Sequence, residues 1–149
     1  MENSLDPEQQ DFYKKLRRDV KIWIGKHLDT ESRWSEYVLV APDLFHLLCK
    51  LSADKDVPSN KKMKLLAGIA YFISPIDLLP EMFLGAVGYL DDIAVAAYIL
   101  NDLVNEVDPQ IIRKHWAGEQ DVLDLIKTIL ANADSMIGSK LWNKLKRRF

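Results

Sequence analysis

Four carboxylates stand around one short segment of this chain, Asp77, Glu81, Asp91 and Asp92, and their types and spacing suit chemistry with a hard cation. Oxygen ligands of this kind bind divalent ions such as magnesium, manganese or calcium. If the chain folds back between Asp77 and Asp91, all four converge on one end of two packed helices. A divalent-metal enzyme is the activity that arrangement would serve. The simpler account is structural: Asp77 caps a helical turn, Asp91 and Asp92 sit in the first turn of the next helix, where its dipole favours them, and Glu81 is solvated. That account is preferred. It leaves no catalytic residue assigned and no cofactor required, a divalent ion being the alternative.

The other chemistry-bearing residues do not assemble into a known pattern. His27 ends a helix, and His46 and His115 belong to different helices without zinc-ligand spacing, although an aspartate and a histidine could still meet in space. No glycine-rich phosphate loop, nucleophile elbow or HExxH is present. Tyr98, Asp102 and Asn105 follow Asp91 along one helical face, the usual pattern of a solvated stripe. Cys49 is the single cysteine and lies in the apolar run Leu44 to Leu51, which predicts a buried thiol and a reducing compartment. Met1 to Gln10 holds acidic and polar residues in place of a basic and then apolar stretch, so no secretory leader is expected and the cytoplasm is the predicted location.

These residues are positioned by helices. The chain has 149 residues, 48% hydrophobic and 28% charged, enough to bury one continuous core without disulfide or metal. Apolar residues recur at helical spacing and β-type alternation is nearly absent, so the predicted fold is an all-α single domain of six to seven helices around a central apolar hairpin. Asp6 and Pro7 read as an N-cap and first helical residue, opening a helix over 7 to 28. A turn near Thr30 follows, and Pro42 is expected to open the next helix. Pro58 and Ser59 start another, and from Lys61 to Ile73 its polar face shrinks until the helix is predicted to be surrounded by protein. An apolar helix runs from about Leu90 to Val107. Asp108 and Pro109 begin a short helix that Gly118 stops, Asp121 begins another, and residues 134 to 149 read as a basic amphipathic C-terminal helix.

Ser74 and Asp77, with Pro75 between, fit a capping box, and Pro80 limits the turn they start. Tyr71, Ser74, Pro75, Asp77, Leu78 and Pro80, followed by Gly88, Asp91 and Asp92, together resemble the motif of the YkvA-like family, small bacterial proteins of unknown function. The resemblance covers residues 58 to 103. Glu81 stands where that family usually has aspartate, and Phe83 to Gly85 lack a second proline common there. The resemblance implies an α-helical core of a kind suspected of membrane association, with no established reaction.

Charge and hydropathy narrow the partners. The net charge is −2, yet the last ten residues, Lys140 to Phe149, carry Lys140, Lys144, Lys146, Arg147 and Arg148 and no acid. An acidic body with a basic tail argues against a nucleic-acid binder, which needs a basic face. The uncharged runs Leu65 to Ile76, Met82 to Leu90 and Ile93 to Asn101 are too short to span a bilayer, which takes roughly 18 to 20 residues. The tail is the better membrane element. Ile137, Leu141, Leu145 and Phe149 form a stripe at spacing four, Trp142 flanks it, and the basic residues take the other sides, as in an interfacial helix. At about 1 kcal/mol per basic residue, an anionic surface would attract it by roughly 5 kcal/mol at most. The competing expectation is that Leu141, Trp142 and Leu145 dock on the core. The function predicted is interaction, with a partner protein or peripherally at the inner face of a membrane.

Overall fold

Asp6 and Pro7 open the first helix as their chemistry requires. The Gln9 N–H donates to Asp6 Oδ1 at 2.8 Å and the Asp6 N–H donates back to Gln9 Oε1 at 3.2 Å, a reciprocal cap on two otherwise unpaired donors. The computed structural model describes residues 5–26, 35–73 and 90–149. Among these there are seven helices and no strand: α1 (Pro7–Lys26), α2 (Ser35–Ser52), α3 (Ser59–Ile73), α4 (Leu90–Val104), α5 (Pro109–His115), α6 (Val122–Ile137) and α7 (Ser139–Arg148). The expected turn at Thr30 and the corner with Ser74, Pro75, Asp77, Pro80, Glu81 and Gly88 lie outside the described residues, as does His27.

Pro42 corrects one expectation: it lies inside α2, which begins at Ser35. Its ring removes a hydrogen bond to the carbonyl four residues earlier, a cost of about 3 kcal/mol in a helix interior. Tyr37, Val40 and Ala41 are buried on the preceding turns, and that burial holds the helix together across the gap. Downstream, Phe45 joins Phe12 of α1 and Phe72 of α3 in a three-ring cluster, with centroids 4.9 Å and 5.4 Å from Phe45. Cys49 is fully enclosed beside it. Burial, with a smaller contribution from the charge of Asp6, pushes its thiol pKa up to about 12.

The centre of the core is α4, where Ile93 to Ala97, Ile99, Leu100 and Leu103 are all buried. It packs on α2, α3 and α6, and α7 reaches it as well. Gly68 sets the approach of α3, since a Cβ there would come within 2.8 Å of Ile99 Cδ1. Lys61 and Lys64 tie the same two helices by donating to Asp102 Oδ2 at 2.9 Å and 3.4 Å. Asp102 therefore serves the helix interface, and Tyr98 stacks edge-on against Trp142 at 5.7 Å. Neither belongs to a purely solvated stripe.

The C-terminal third follows its caps with two differences. Asp108 accepts from the Gln110 N–H and Asp121 from the Asp124 N–H, as their residue types predict. However, α5 ends at His115, before Gly118. The Trp116 indole folds back, donates from Nε1 to the Gln120 carbonyl at 2.8 Å, and covers Gly118, where a Cβ would meet the ring at 2.4 Å. The second difference is a break at Gly138, with φ 90°, a backbone state that favours glycine. Residues 134 to 137 thus belong to α6, and the basic helix begins at Ser139.

Candidate functional site

Of the four carboxylates, Asp77 and Glu81 lie outside the described residues, as does the Asp91 side chain. Asp92 is buried with no exposed surface, on the face of α4 that enters the core. Among the described residues no three acidic, histidine or cysteine side chains are grouped to hold a metal ion.

An aspartate and a histidine do meet. His115 Nε2 lies 2.7 Å from Asp54 Oδ2, and Lys114 Nζ lies 3.3 Å from the same oxygen. Burial works upward on the Asp54 pKa, but hydrogen bonds from His115, the Asp56 N–H and Lys114 outweigh it and hold the carboxyl at about 2. The pair has no hydroxyl or thiol hydrogen-bonded to His115 among the described residues. It clasps α5 to the turn between α2 and α3. His46 lies in the same region, its ring 5.4 Å from that of Tyr13, with Nδ1 buried and unpartnered among the described residues. Burial first, then the charges of Lys50 and His115, lower its pKa.

The tail splits by side. Trp142 and Leu145 are buried against the body, and Leu141 is half-buried. Phe149 packs edge-on to Tyr71 of α3 at 5.7 Å. Lys146 lies over the Trp142 ring, 5.4 Å from its centroid. Lys140, Lys144, Arg147 and Arg148 are exposed. The apolar stripe is therefore largely used by the core, and the surface that remains is cationic.

Beside it lies the main departure from expectation. Lys61 to Ile73 was predicted to be surrounded by protein, yet α3 buries one side only, through Leu65, Gly68, Ile69, Tyr71 and Phe72. Met63 is 71% exposed and Leu66 48%, and Ala67 and Ala70 are exposed between them. Residues that look like core in composition thus form an exposed face of α3. Met63, Ala67, Ala70, Arg148 and Phe149 line one groove of about 620 Å³ where α3 meets the end of α7.

A second surface is absent from the sequence-based candidates. On α1, Lys14, Arg17, Arg18 and Lys21 are all exposed and line a groove of about 710 Å³ against α2, with Asp43 on its far wall. The signal was the run KKLRRDVK at residues 14 to 21, which disappears when charge is averaged over an acidic body. Among the described residues, no helix is long and apolar enough to cross a membrane.

Comparison with known proteins places the chain near others without an assigned role. A family model described as "Protein of unknown function (DUF1232)" matches residues 61–98, which hold most of α3, the segment after it and the first part of α4. The chain is similar to the "Uncharacterized protein ORF9" of Methanothermobacter thermautotrophicus, with 26% identity over 99 residues, covering 66% of this chain and 68% of that protein. No solved structure matches.

Proposed function

We propose that the protein is a non-enzymatic, YkvA-like helical protein that docks peripherally on an anionic membrane surface at its inner face. The observation that carries this reading is the outer face of α3, where exposed Met63 lines a groove with Lys64, Arg148 and Phe149, and exposed Leu66 lies on the side toward Asp6 and Glu8. An exposed apolar side chain flanked by cations, as Met63 is by Lys64 and Arg148, suits the boundary between headgroups and acyl chains. Fully burying a side chain of this size is worth about 1.5 to 3 kcal/mol. Each exposed tail cation adds about 1 kcal/mol near an anionic leaflet before screening.

Flotation with vesicles of phosphatidylcholine and phosphatidylglycerol tests it. Removing everything after Gly138 would also strip Trp142 and Leu145 from the core, so the informative variants keep the fold. These are Met63→Asp with Leu66→Asp, and Lys140→Glu with Lys144→Glu and Arg147→Glu. Wild type should float with anionic vesicles and both variants should stay at the bottom. Equal flotation of all three would overturn the reading, and no flotation of the wild type would turn it toward a partner protein.

Asp92 supports a second reading, a divalent-metal site using Asp77, Glu81, Asp91 and Asp92. Asp92 is buried at the start of α4, and four carboxylates close in sequence supply the oxygen ligands that a hard divalent ion takes. Calorimetric titration with magnesium, manganese and calcium on wild type and Asp91→Asn with Asp92→Asn tests it. Absence of heat and of thermal stabilisation in the wild type would remove it.

A further inference from the structure

The groove between α1 and α2 belongs to neither reading. Lys14, Arg17, Arg18 and Lys21 recur at spacings of three, one and three, which places them on one side of α1 over two turns, roughly 10 Å at about 1.5 Å per residue. All four are exposed, and none takes part in an ion pair among the described residues. The acids nearest the stripe are Asp11 and Asp19 on α1 and Asp43 across the groove. Asp19, on the same helix, is bound to Lys15 at 2.9 Å, and Asp43, across the groove, acts electrostatically on Arg17. Arg17 is also held over the Tyr13 ring, with its guanidinium 5.5 Å from the centroid, which restricts how the fork is presented.

Holding four like charges on two turns of one helix is unfavourable, with i,i+4 repulsions of a few tenths of a kcal/mol each. A solvated stripe would be better served by alternating signs, as Lys15 and Asp19 are on the adjacent side. We propose that this groove is a binding site for a phosphate-bearing ligand, with Lys14, Arg17, Arg18 and Lys21 as its cationic wall. Phosphate places two charges on a few atoms, and guanidinium forks bind its oxygens two at a time. Carboxylates along an acidic peptide would spread the same charge over a longer span. The phosphate is either that of a small soluble ester or diphosphate or that of a lipid headgroup. The site does not rest on the docking reading above.

Pyrophosphate is the probe for the first source. Titration into the full-length protein at about 0.15 M salt, followed by calorimetry and by backbone amide NMR shifts, should give saturable binding with shifts centred on α1 and the facing turns of α2. Arg17→Glu with Arg18→Glu, at two exposed positions, should weaken it by about tenfold or more while circular dichroism and thermal midpoint stay close to wild type. The tail variant Lys140→Glu with Lys144→Glu and Arg147→Glu should bind pyrophosphate as wild type does. Vesicles of phosphatidylcholine and phosphatidylglycerol then separate the sources. Loss of flotation by the groove variant assigns the site to a lipid headgroup, and unchanged flotation assigns it to a soluble phosphate. No saturable binding of pyrophosphate, equal loss in groove and tail variants, or tighter binding of a short polyglutamate peptide would overturn the proposal. Failure of the docking reading appears separately, as vesicle binding indifferent to the tail and α3 variants.

Discussion

Helices α3 and α4 are both apolar, lie against each other, and meet different fates. Around α4 stand α2, α3 and α6, and nearly every side chain from Asp92 to Leu100 is buried. Among the described residues, α3 buries one side only, through Leu65, Gly68, Ile69, Tyr71 and Phe72. Its outer half carries Met63, Leu66, Ala67 and Ala70 into the open. Apolar composition therefore measures what a helix can bury, and the number of elements packed on it decides what it does bury. The remainder is surface available for another molecule.

The sharpest way to break this comparison is to shorten one leucine in each helix. Leu100→Ala in α4 should cost about 2 to 5 kcal/mol, because a fully enclosed site cannot collapse around the space left. Leu66→Ala in α3 should stay within about 0.5 kcal/mol. Chemical denaturation of the two variants checks both, and equal losses would mean that α3 is covered after all.

The entrance to α3 gives the next effect. Asp54→Asn leaves His115 and Lys114 without their charged acceptor and should cost about 1.5 to 3 kcal/mol near neutral pH. The folded-state pKa is depressed, so this contribution is fully present above the unfolded value of about 3.9. It is lost as pH falls toward about 2. Acid unfolding followed by far-UV circular dichroism should be steeper for wild type than for the variant across that window. His46 works in the opposite range. Its pKa is lowered by burial, so the unfolded chain takes up the proton first and stability should fall as pH drops below about 6.5. A His46→Gln variant should show a flatter dependence of thermal midpoint between pH 7 and 5.

Smaller effects test the contact between the two helices. Gly68→Ala would push a methyl group against Ile99 Cδ1, and since that atom is the far end of a buried side chain, the cost should be about 1 kcal/mol. Met63→Ser, facing outward, should leave the denaturation midpoint almost unchanged and still reduce vesicle flotation.

Much of this was legible in the residues. The caps at Asp6, Asp108 and Asp121 announce their helices because one side-chain oxygen decides the geometry locally. Cys49 and the stripe of α4 read correctly because each lies in a run of apolar residues that the core encloses. Pro42 did not, since the force that carries α2 through a proline is burial of Tyr37 and Ala41 against distant parts of the chain. The exposure of α3 was equally unreadable: alanine at 67 and 70 suits a tight interface and an open face alike. Gly118 was read as a helix stop, whereas it is required by the Trp116 ring lying over it. The basic stripe on α1 was visible as KKLRRDVK and was lost only by treating the body as one charge.

Cys49 gives the molecule a property that follows from the same packing. It is the one thiol in the sequence, it is enclosed by the core, and with its pKa pushed up to about 12 almost none of it is thiolate at neutral pH. A thiol reagent can reach it only when α2 parts from its neighbours. The rate of labelling under native conditions is thus a clock for the opening of the bundle, built into the chain without any substitution.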